Sequence, residues 1–305
     1  MTFSVTILGS GSALPTANRF PSAQLVSICH CHYLVDCGEG AQMQLCKYGL
    51  PMLKIDHLLI SHLHADHVLG IFGLISTMSM LGRKKPLHIH APKGMQQILD
   101  GHLRYFGEGV TYELAVHELS CEQKEVILED KHLSIASFPL HHRVPTSGFL
   151  FCEKTPPRNI LKEAIEKYRL PFPAIVDIKN GADLTLPSGE VVPNAQLTYL
   201  PYSPRAYAYC ADTMACREVA QSVRGVNLLY HEATFADSMR DFAVERGHAT
   251  ALQAAQIARE AGVKKLVIGH FSSRYKNVEA LVDEARTVFE NTCAAEDGKV
   301  FLVES

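Results

Sequence analysis

The seven residues from Ser61 to His67, Ser-His-Leu-His-Ala-Asp-His, constrain this chain more than any other segment. They follow a short apolar run typical of a buried strand, and a glycine-bearing apolar segment typical of a helix comes after them. On a helix, residues two positions apart point about 200° apart, so His62 and His64 could not share one face. On extended backbone the two side chains point the same way, so we expect a loop here.

This loop places four metal-binding side chains within six residues. Histidine is the commonest metal ligand in proteins. His62 and His64 can bind one ion, while Asp66 and His67 can turn toward a second point beside it. The alternative is a loop of solvated polar residues, but this order of residues directly after a buried strand favours metal binding. The spacing therefore predicts two neighbouring metal ions held by one loop.

Two ions need more ligands than this loop offers, because a catalytic zinc ion typically has three or more protein ligands. We expect the others at the ends of further strands along the same edge of the fold. An aspartate can bridge two cations, and Asp212 is the one carboxylate among the candidates. Spacing alone does not separate His141 from His142. The candidates that follow predicted strands are His141, His142, Asp212, His231 and His270.

Composition limits the classes of function open to the chain. Of its 305 residues, 47% are apolar, which excludes a disordered protein. Its 29 Lys and Arg against 32 Asp and Glu give a net charge of −3. That charge excludes a polybasic protein that grips nucleic acid over its whole surface, although a local basic patch such as residues 83–85 is compatible with it. The 16 histidines outnumber the 13 phenylalanines and 11 tyrosines, which is unusual.

Cysteine usage and the apolar segments indicate the compartment. Nine scattered cysteines, an odd number, indicate reduced thiols in a reducing compartment. The run Cys29-His30-Cys31-His32 could be a soft metal site, but no second pair stands at zinc-finger spacing. The first residues lack the basic segment and cleavage site of a signal peptide. The most apolar run, 68–81, is too short to span a bilayer. We expect a cytoplasmic protein with no membrane partner.

Short β-rich runs alternate with helical patterns, which predicts an α/β fold with sheets covered by helices. The predicted helices are 69–81, 93–105, 214–223, 251–261 and 278–289. The predicted strands are 3–8, 32–36, 57–61, 87–91, 112–119, 125–129, 132–138, 148–153, 207–211, 226–230, 265–269 and 300–303. At the 251–261 helix, Thr250 and Gln253 fit a capping box and Gly262 fits a C-terminal stop.

The segment 154–195 differs from the rest of the chain. Its prolines surround one amphipathic charged stretch, residues 160–168. Composition alone fits two interpretations equally, an insertion that projects from the body and an ordinary surface excursion.

Taken together, these residues resemble the metallo-β-lactamase superfamily and, within it, ribonuclease Z, the tRNA 3′-processing endonuclease. The His-x-His-x-Asp-His loop is a feature of the whole superfamily. The His-Glu-Ala-Thr segment from His231 and the His-x-Ser-x-Arg-Tyr segment from His270 narrow the resemblance to ribonuclease Z. The other matching segments are Leu8–Pro15, Asp36–Gln42, Pro92–Gly94, Asp212–Thr213 and Gly247–Thr250.

The resemblance implies a fold, an activity and partners. The fold is a four-layer αβ/βα sandwich forming a single domain over residues 1–305, with 154–195 as an inserted candidate tRNA-binding arm. The activity is that of a zinc-dependent endoribonuclease, which removes the 3′ trailer from precursor tRNA by phosphodiester hydrolysis and leaves a 3′-hydroxyl on the tRNA. The cofactors are two zinc ions per subunit. The length matches the short form, which is a homodimer in the family.

Carried over by position, the resemblance also implies a set of metal ligands. It assigns the first zinc ion to His62, His64 and His142. It assigns the second to Asp66, His67 and His270, with Asp212 as the bridge. His142 is preferred to His141 because the family spacing to the Gly-aromatic pair at 148–149 fits His142.

The resemblance implies catalytic roles as well. Asp66 would orient or deprotonate the attacking water. His248 would protonate the leaving 3′ oxygen, and Glu232 would orient His248, since a carboxylate fixes an imidazole tautomer. Ser272 and Arg274 would bind phosphate oxygens, the alternative for Arg274 being a surface ion pair.

Two further residues and two departures complete the comparison. Asp36 could hydrogen-bond ligand histidines, and His231 either supports the site or is purely structural.

Ala17 stands where the family usually has a basic residue, although Arg19 remains. The family's Gly-Pro arm element is not evident where residues 171–173 read Pro-Phe-Pro. These departures bear on how tRNA docks and leave the metal site untouched.

Two other functions fit parts of the sequence. One is a different two-zinc hydrolase of this fold, acting on a small phosphodiester, lactone or thioester. His248, Glu232 and Arg274 favour phosphodiester cleavage, because a leaving alkoxide needs an acid and a phosphate needs donors. The other is a non-catalytic RNA-binding module, whose hallmark would be missing ligands, and none is missing. Phosphate contacts in the arm would come from Lys162, Lys167 and Arg169.

Overall fold

Two seven-stranded sheets form the centre of the fold, which is described here for residues 2–305 from a computed structural model. The strands are β1 (Phe3–Gly9), β2 (Ala23–Ile28), β3 (Cys31–Val35), β4 (Ile55–Leu59), β5 (Leu87–Pro92), β6 (Leu114–Leu119), β7 (Glu125–Glu129), β8 (Leu133–Leu140), β9 (Thr146–Glu153), β10 (Asn159–Ile160), β11 (Leu184–Thr185), β12 (Val191–Val192), β13 (Thr198–Tyr199), β14 (Ala206–Cys210), β15 (Leu228–Glu232), β16 (Lys265–Gly269), β17 (Thr292–Ala294) and β18 (Val300–Leu302).

The helices connect and cover these strands. They are α1 (Ala41–Lys47), α2 (Ala65–Val68), α3 (Gly70–Met80), α4 (Met95–Phe106), α5 (Lys162–Tyr168), α6 (Phe172–Lys179), α7 (Asn194–Leu197), α8 (Arg217–Ser222), α9 (Arg240–Arg246), α10 (Ala251–Ala261) and α11 (Glu279–Arg286). Within residues 2–305, none of these helices has the length and apolar character that crossing a bilayer requires.

Both sheets combine antiparallel and parallel pairing. The first has the order β18-β1-β2-β3-β4-β5-β6, and the second has the order β17-β16-β15-β14-β9-β8-β7. In the first sheet β3 to β6 run parallel, and in the second β14 to β17 do. Helices form the crossovers between these parallel strands. Since parallel strands align their carboxyl ends at one edge, loops after β4, β14 and β16 are well placed to meet.

Side chains from the two sheets meet between them. The Tyr33 ring of β3 lies 5.8 Å from the Phe151 ring of β9. The Tyr207 hydroxyl of β14 donates to the Gln24 amide oxygen of β2. On its outer face the first sheet packs against apolar residues of α3 at helical spacing, namely Ile71, Leu74, Ile75 and Met78. Burial of each such side chain stabilises the fold by about 1.5–3 kcal/mol.

The chain divides into two compact units. The larger contains residues up to 128, 135–151 and 206–304. The smaller contains residues 129–134, 152–205 and 305. Within the smaller unit, two two-stranded ribbons, β10 with β13 and β11 with β12, accompany α5 to α7. Its own apolar core is Ala164, Leu170, Ile178, Val192 and Leu197. The segment 154–195, predicted as an arm, lies inside this unit.

Most predicted elements are present, with shifted ends. The capping box of α10 is confirmed, because Thr250 Oγ1 accepts from the Gln253 backbone while Gln253 Oε1 accepts from the Thr250 backbone. The helix predicted from residue 214 begins only at Arg217, since residues 212–216 form a loop. The helix α6 was not predicted because of its prolines, but Pro171 lies at the N-cap and Pro173 in the first turn, where the missing N–H costs no helical bond.

Candidate metal centre

The first candidate ligand group follows β4. His64 lies on extended backbone, as predicted, and the facing nitrogens of His62 and His64, Nε2 and Nδ1, are 3.0 Å apart. His142, after β8, brings its Nε2 within 3.4 Å of His64 Nδ1. Asp212, after β14, places Oδ2 3.5 Å from His62 Nε2. These four residues each offer one ligand atom, and the four atoms lie within 4.8 Å of one another.

The second candidate group adjoins the first. Asp66 and His67 lie in the single turn of α2, directly after the extended backbone of His64. His270, after β16, places its Nε2 3.3 Å from His67 Nε2 and 3.3 Å from Asp66 Oδ2. The three ligand atoms of this group lie within 4.8 Å of one another. All seven residues predicted as ligands are thus brought into two adjoining groups.

Asp212 lies between the two groups. It is 2% exposed, and its Oδ1 is 3.3 Å from His67 Nε2 and 3.2 Å from His270 Nε2. Within residues 2–305, this buried oxygen receives no hydrogen bond. A buried carboxylate oxygen without a donor is costly unless a cation compensates it. The position of Asp212 therefore fits a bridge between two cations.

The hydrogen bonds of the histidines set tautomers that suit metal binding. His67 Nδ1 lies 2.7 Å from Asp36 and His270 Nδ1 lies 2.9 Å from the Thr234 hydroxyl, so both Nδ1 atoms have partners that hold a proton there. In the neutral imidazoles, the two Nε2 atoms, 3.3 Å apart, then present lone pairs to each other. His142 is held in the same way, with Nδ1 donating to the Gly247 carbonyl at 2.7 Å. Lone pairs that converge on one point fit a metal ion, and imidazole with carboxylate is a donor set for zinc.

Asp36 holds the histidine loop in place. It is fully buried at the end of β3, in the left-handed region with φ 56°. Its Oδ1 accepts from the Ser61 backbone at 2.8 Å. Its Oδ2 accepts from the Ser61 hydroxyl at 2.9 Å, from His67 Nδ1 at 2.7 Å and from the Tyr209 hydroxyl at 2.6 Å. The prediction that Asp36 bonds a ligand histidine is confirmed for His67.

A second buried carboxylate positions His248. Glu232, fully buried at the end of β15, lies 2.9 Å from His248 Nδ1 through its Oε1. The same side chain accepts from the backbones of Thr213, Thr234 and Ala249. Burial alone would lower the pKa of His248, but the charge and hydrogen bond of Glu232 outweigh it and raise that pKa to about 9. His248 is therefore built to carry a proton near neutral pH.

Opposed effects also act on the ligand side chains. Burial would raise the pKa of Asp66, but the neighbouring His67 and His270 lower it below its ordinary value. Burial would lower the pKa of His67, but Asp212, Asp36 and Asp66 raise it. Asp66 is therefore ionised, and its Oδ2 accepts from the Ala13 backbone at 2.7 Å.

A cavity of about 260 Å³ opens beside the ligands. Its wall includes His64, His142, His248 and Ser272. Arg274 lies next to this wall, where its Nε donates to the Ser272 hydroxyl at 3.1 Å and its guanidinium lies 5.0 Å from the Phe235 ring centroid. Two exposed cations that belong to none of the sequence motifs, Arg143 and Arg246, also line the cavity. In the sequence, the one indication of this position is that Arg143 directly follows His142 and Arg246 directly precedes Gly247.

Two of the histidines weighed as ligands lie outside both groups. His231 is fully buried, and its Nδ1 donates to the Glu232 carbonyl at 2.7 Å, which is a structural contact. His141 is exposed and lies with Cys216 and Glu218 instead. Some of the 16 histidines lie away from both groups. Four of them stack on one face of β4 to β6, namely His57, His88, His90 and His117.

Comparison with known proteins decides the family. A family model described as Anti-Pycsar protein Apyc1 matches residues 3–143. Ribonuclease Z of Bacteroides fragilis (strain YCH46) is 46% identical over 295 residues, which is 97% of each chain. Ribonuclease Z of Phocaeicola vulgatus is 46% identical over 303 residues, covering 99% of this chain and 98% of that relative. The chain belongs to the ribonuclease Z family.

Solved structures agree with this assignment. The short form of human tRNase Z (ELAC1) has a TM-score of 0.73 at 26% identity, covering 99% of this chain and 100% of that one. The metallo-β-lactamase fold protein YhfI of Bacillus subtilis has a TM-score of 0.70 at 21% identity with the same coverage, a likeness of fold. The predicted ribonuclease Z family and the metallo-β-lactamase sandwich are confirmed. So is the predicted class of enzyme, a metal-dependent hydrolase that processes tRNA 3′ ends.

Proposed function

We propose that this member of the ribonuclease Z family is a zinc-dependent endoribonuclease that cuts the 3′ trailer from precursor tRNA and leaves a 3′-hydroxyl. The observation that carries the proposal is the contact between buried Glu232 and half-buried His248, beside two adjoining ligand groups. Hydrolysis of a phosphodiester expels an alkoxide, which needs a proton donor, and His248 is held as one. The alternative, a hydrolase of a small phosphodiester, lactone or thioester, gains no support from any relative described above.

Two zinc ions fit the two ligand groups. His62, His64 and His142 would hold one, Asp66, His67 and His270 would hold the other, and Asp212 would contact both. When bound, zinc supplies a water whose pKa is near 7 and positive charge for the phosphate. The donor set supports zinc over magnesium, because imidazole nitrogens outnumber carboxylate oxygens in it.

Asp66 and His248 divide the proton transfers. The Asp66 carboxylate is ionised, so it can orient the attacking water or accept its proton. His248 donates from Nε2 to the leaving 3′ oxygen, because Nδ1 is engaged by Glu232. Glu232 remains charged throughout and fixes the ring in one orientation. General acid catalysis of this kind contributes about 10²–10⁴-fold to a rate.

The RNA is bound by local positive charge. Arg143, Arg246 and Ser272 line the cavity, and Arg274 stands beside it, with Ser272 and Arg274 as phosphate ligands. The basic triplet at 83–85 is a weaker candidate than its sequence indicates, because Arg83 is buried and donates to Asp56 and to the Leu53 carbonyl.

The segment 154–195 is proposed as the tRNA-binding arm. Three cations in the smaller unit support this role, because Lys162, Lys167 and Arg169 are all exposed and can reach phosphates without desolvation of buried charge. Neutralising the three to alanine is expected to weaken precursor tRNA binding and to make its salt dependence shallower.

A homodimer is proposed from the short-form resemblance and one apolar surface. Met80 and Leu81 at the end of α3, with Tyr105 and Phe106 of α4, are 54–77% exposed. Exposed apolar groups of this size are typical of an interface. Light scattering of wild-type and Phe106→Asp protein tests the assignment, with a wild-type monomer contradicting it.

Product mapping tests the activity. Purified protein is incubated with a precursor tRNA, with bis(p-nitrophenyl) phosphate and with a thioester, each with and without chelator, and zinc is counted by elemental analysis. We expect cleavage at the tRNA 3′ end that chelator abolishes and zinc restores, with at least two zinc ions per chain. Faster turnover of the thioester than of precursor tRNA would overturn the proposal.

A further inference from the structure

Three residues outside both candidate ligand groups form another cluster of metal-binding side chains. His141 follows β8, Cys216 immediately precedes α8, and Glu218 lies in the first turn of that helix. One ligand atom from each lies within 4.8 Å of the other two. His141 and Glu218 are exposed and Cys216 is half-buried, so a cation can reach them from solvent.

The donor set selects a kind of ion. A thiol, an imidazole and a carboxylate are zinc ligands, with bonds of about 2.0–2.3 Å, whereas magnesium and calcium prefer oxygen alone. Tetrahedral bonds of that length place ligand atoms about 3.3–3.8 Å apart. The three ligand atoms already lie within 4.8 Å of one another, so changes of side-chain rotamer at the exposed His141 and Glu218 can bring them toward that spacing. Cys216 and Glu218 are two residues apart at the start of α8, which brings two of the three ligands together.

The backbone holds the two ligand-bearing loops together. The His141 N–H donates to the Thr213 hydroxyl at 3.0 Å, and the Met214 N–H donates to the His141 carbonyl at 2.8 Å. The loop after β8 and the loop after β14 are therefore fixed against each other before any ion binds. A site that is pre-organised in this way loses less entropy on binding.

We propose that His141, Cys216 and Glu218 form a third metal site, which takes a thiolate-binding divalent ion of the zinc class with solvent in the fourth position. On binding, the Cys216 S–H bond breaks, a sulfur–metal bond forms and one proton passes to solvent, with no change of oxidation state. His142 and Asp212 lie on the same two loops. An ion here would cross-link the loops that present these two catalytic ligands.

The absorption spectrum of bound cobalt(II) distinguishes this site from the two candidate ligand groups. Those groups contain only nitrogen and oxygen donors, whereas the third site contains sulfur, which gives a thiolate-to-cobalt charge-transfer band in the near ultraviolet. The full chain is stripped of metal, loaded stepwise with Co²⁺ and followed by absorption, and bound cobalt is counted after desalting. We expect a third equivalent and the band together. Cys216→Ser should abolish the band and leave two equivalents, and Glu218→Gln should weaken the third equivalent at least about tenfold.

Matched cysteine variants make the assignment specific. Cys46→Ser removes an exposed cysteine of α1, and Cys31→Ser removes one from the Cys-His-Cys-His run, so both should keep the band. Circular dichroism confirms that each variant is folded, and Cys216→Ala provides a second variant if the serine form is not. The proposal is overturned if wild-type protein with three equivalents shows no thiolate band, if the band survives Cys216→Ser, or if Cys31→Ser removes it.

Discussion

Replacing Asp36 by asparagine tests whether a buried carboxylate, rather than the ligands alone, sets metal affinity. Asparagine has the same shape and tolerates the left-handed backbone that Asp36 adopts, so the backbone is not strained. The change removes one acceptor oxygen and the negative charge. It therefore isolates the hydrogen bonds that Asp36 accepts.

The structure gives the size of the effect. In the variant, the amide NH₂ must replace one carboxylate oxygen among four donors, which belong to Ser61, His67 and Tyr209. The hydroxyls of Ser61 and Tyr209 can rotate and accept instead. His67 Nδ1 can accept only if its proton moves to Nε2, which is the atom that faces the proposed ion.

Losses of this kind in the hydrogen-bond partners of ligands lower metal affinity about 10–100-fold, which is about 1.4–2.7 kcal/mol. The lost bond to a charged group costs folding about 1.5–3 kcal/mol, partly offset because a neutral amide is cheaper to bury than a carboxylate.

Competition with a chromophoric chelator measures the affinity for each zinc equivalent, and precursor tRNA cleavage is followed at limiting and excess zinc. We expect Asp36→Asn to weaken one equivalent by 10–100-fold and to lose activity that excess zinc restores. Tyr209→Phe is the matched control, because it removes one hydrogen bond and keeps the carboxylate, and its affinity should fall by less than tenfold. An Asp36→Asn protein that binds both equivalents as tightly as wild type would refute the reasoning.

Three further outcomes are expected. His248→Ala should lower kcat on precursor tRNA about 10²–10⁴-fold with zinc content unchanged, and near-wild-type turnover would exclude His248 as the acid. Chelation should lower the Tm, because ions at 100 times their Kd stabilise the native state by about 2.7 kcal/mol, and a Tm that chelator leaves unchanged would exclude bound metal. Burial and neighbouring histidines lower the pKa of His57 to about 4 and of His90 to about 3, so the unfolded chain binds more protons between about pH 3 and 6.5. The free energy of unfolding should therefore fall as the pH is lowered below about 6.5. If His90→Gln protein lost stability with the same dependence on pH, His90 would not be a source of this effect.

The local part of the site could be predicted from sequence because its geometry is local. Four ligands lie within six residues after one strand, and the alternation of extended backbone followed by one helical turn divides them into two pairs. The capping box of α10 is predictable for the same reason, since Thr250 and Gln253 are three residues apart.

Contacts between distant segments could not be predicted in this way. Both His141 and His142 follow the same strand, yet it is the His142 ring that meets His64, seventy-eight positions away, while the His141 backbone bonds Thr213. Arg83 shows the same limit for charge. It reads as part of a basic patch, yet its guanidinium is buried against carbonyls of the loops around it. Arg143 and Arg246 belong to no sequence pattern, and only the fold places them at the cavity.

The ligand groups also change how the net charge of −3 is understood. Their residues come from both sheets, His62 to His67 after β4 and His142, Asp212 and His270 after β8, β14 and β16. Four buried or nearly buried carboxylates, Asp36, Asp66, Asp212 and Glu232, lie at this junction. Two zinc ions, as proposed, would carry four positive charges, which offset the charges of these four carboxylates. The positive charge that meets the RNA phosphates must then come from His248 and from exposed arginines such as Arg143 and Arg246. Binding of precursor tRNA should therefore keep a salt dependence that these cations set, whereas its cleavage should depend on metal.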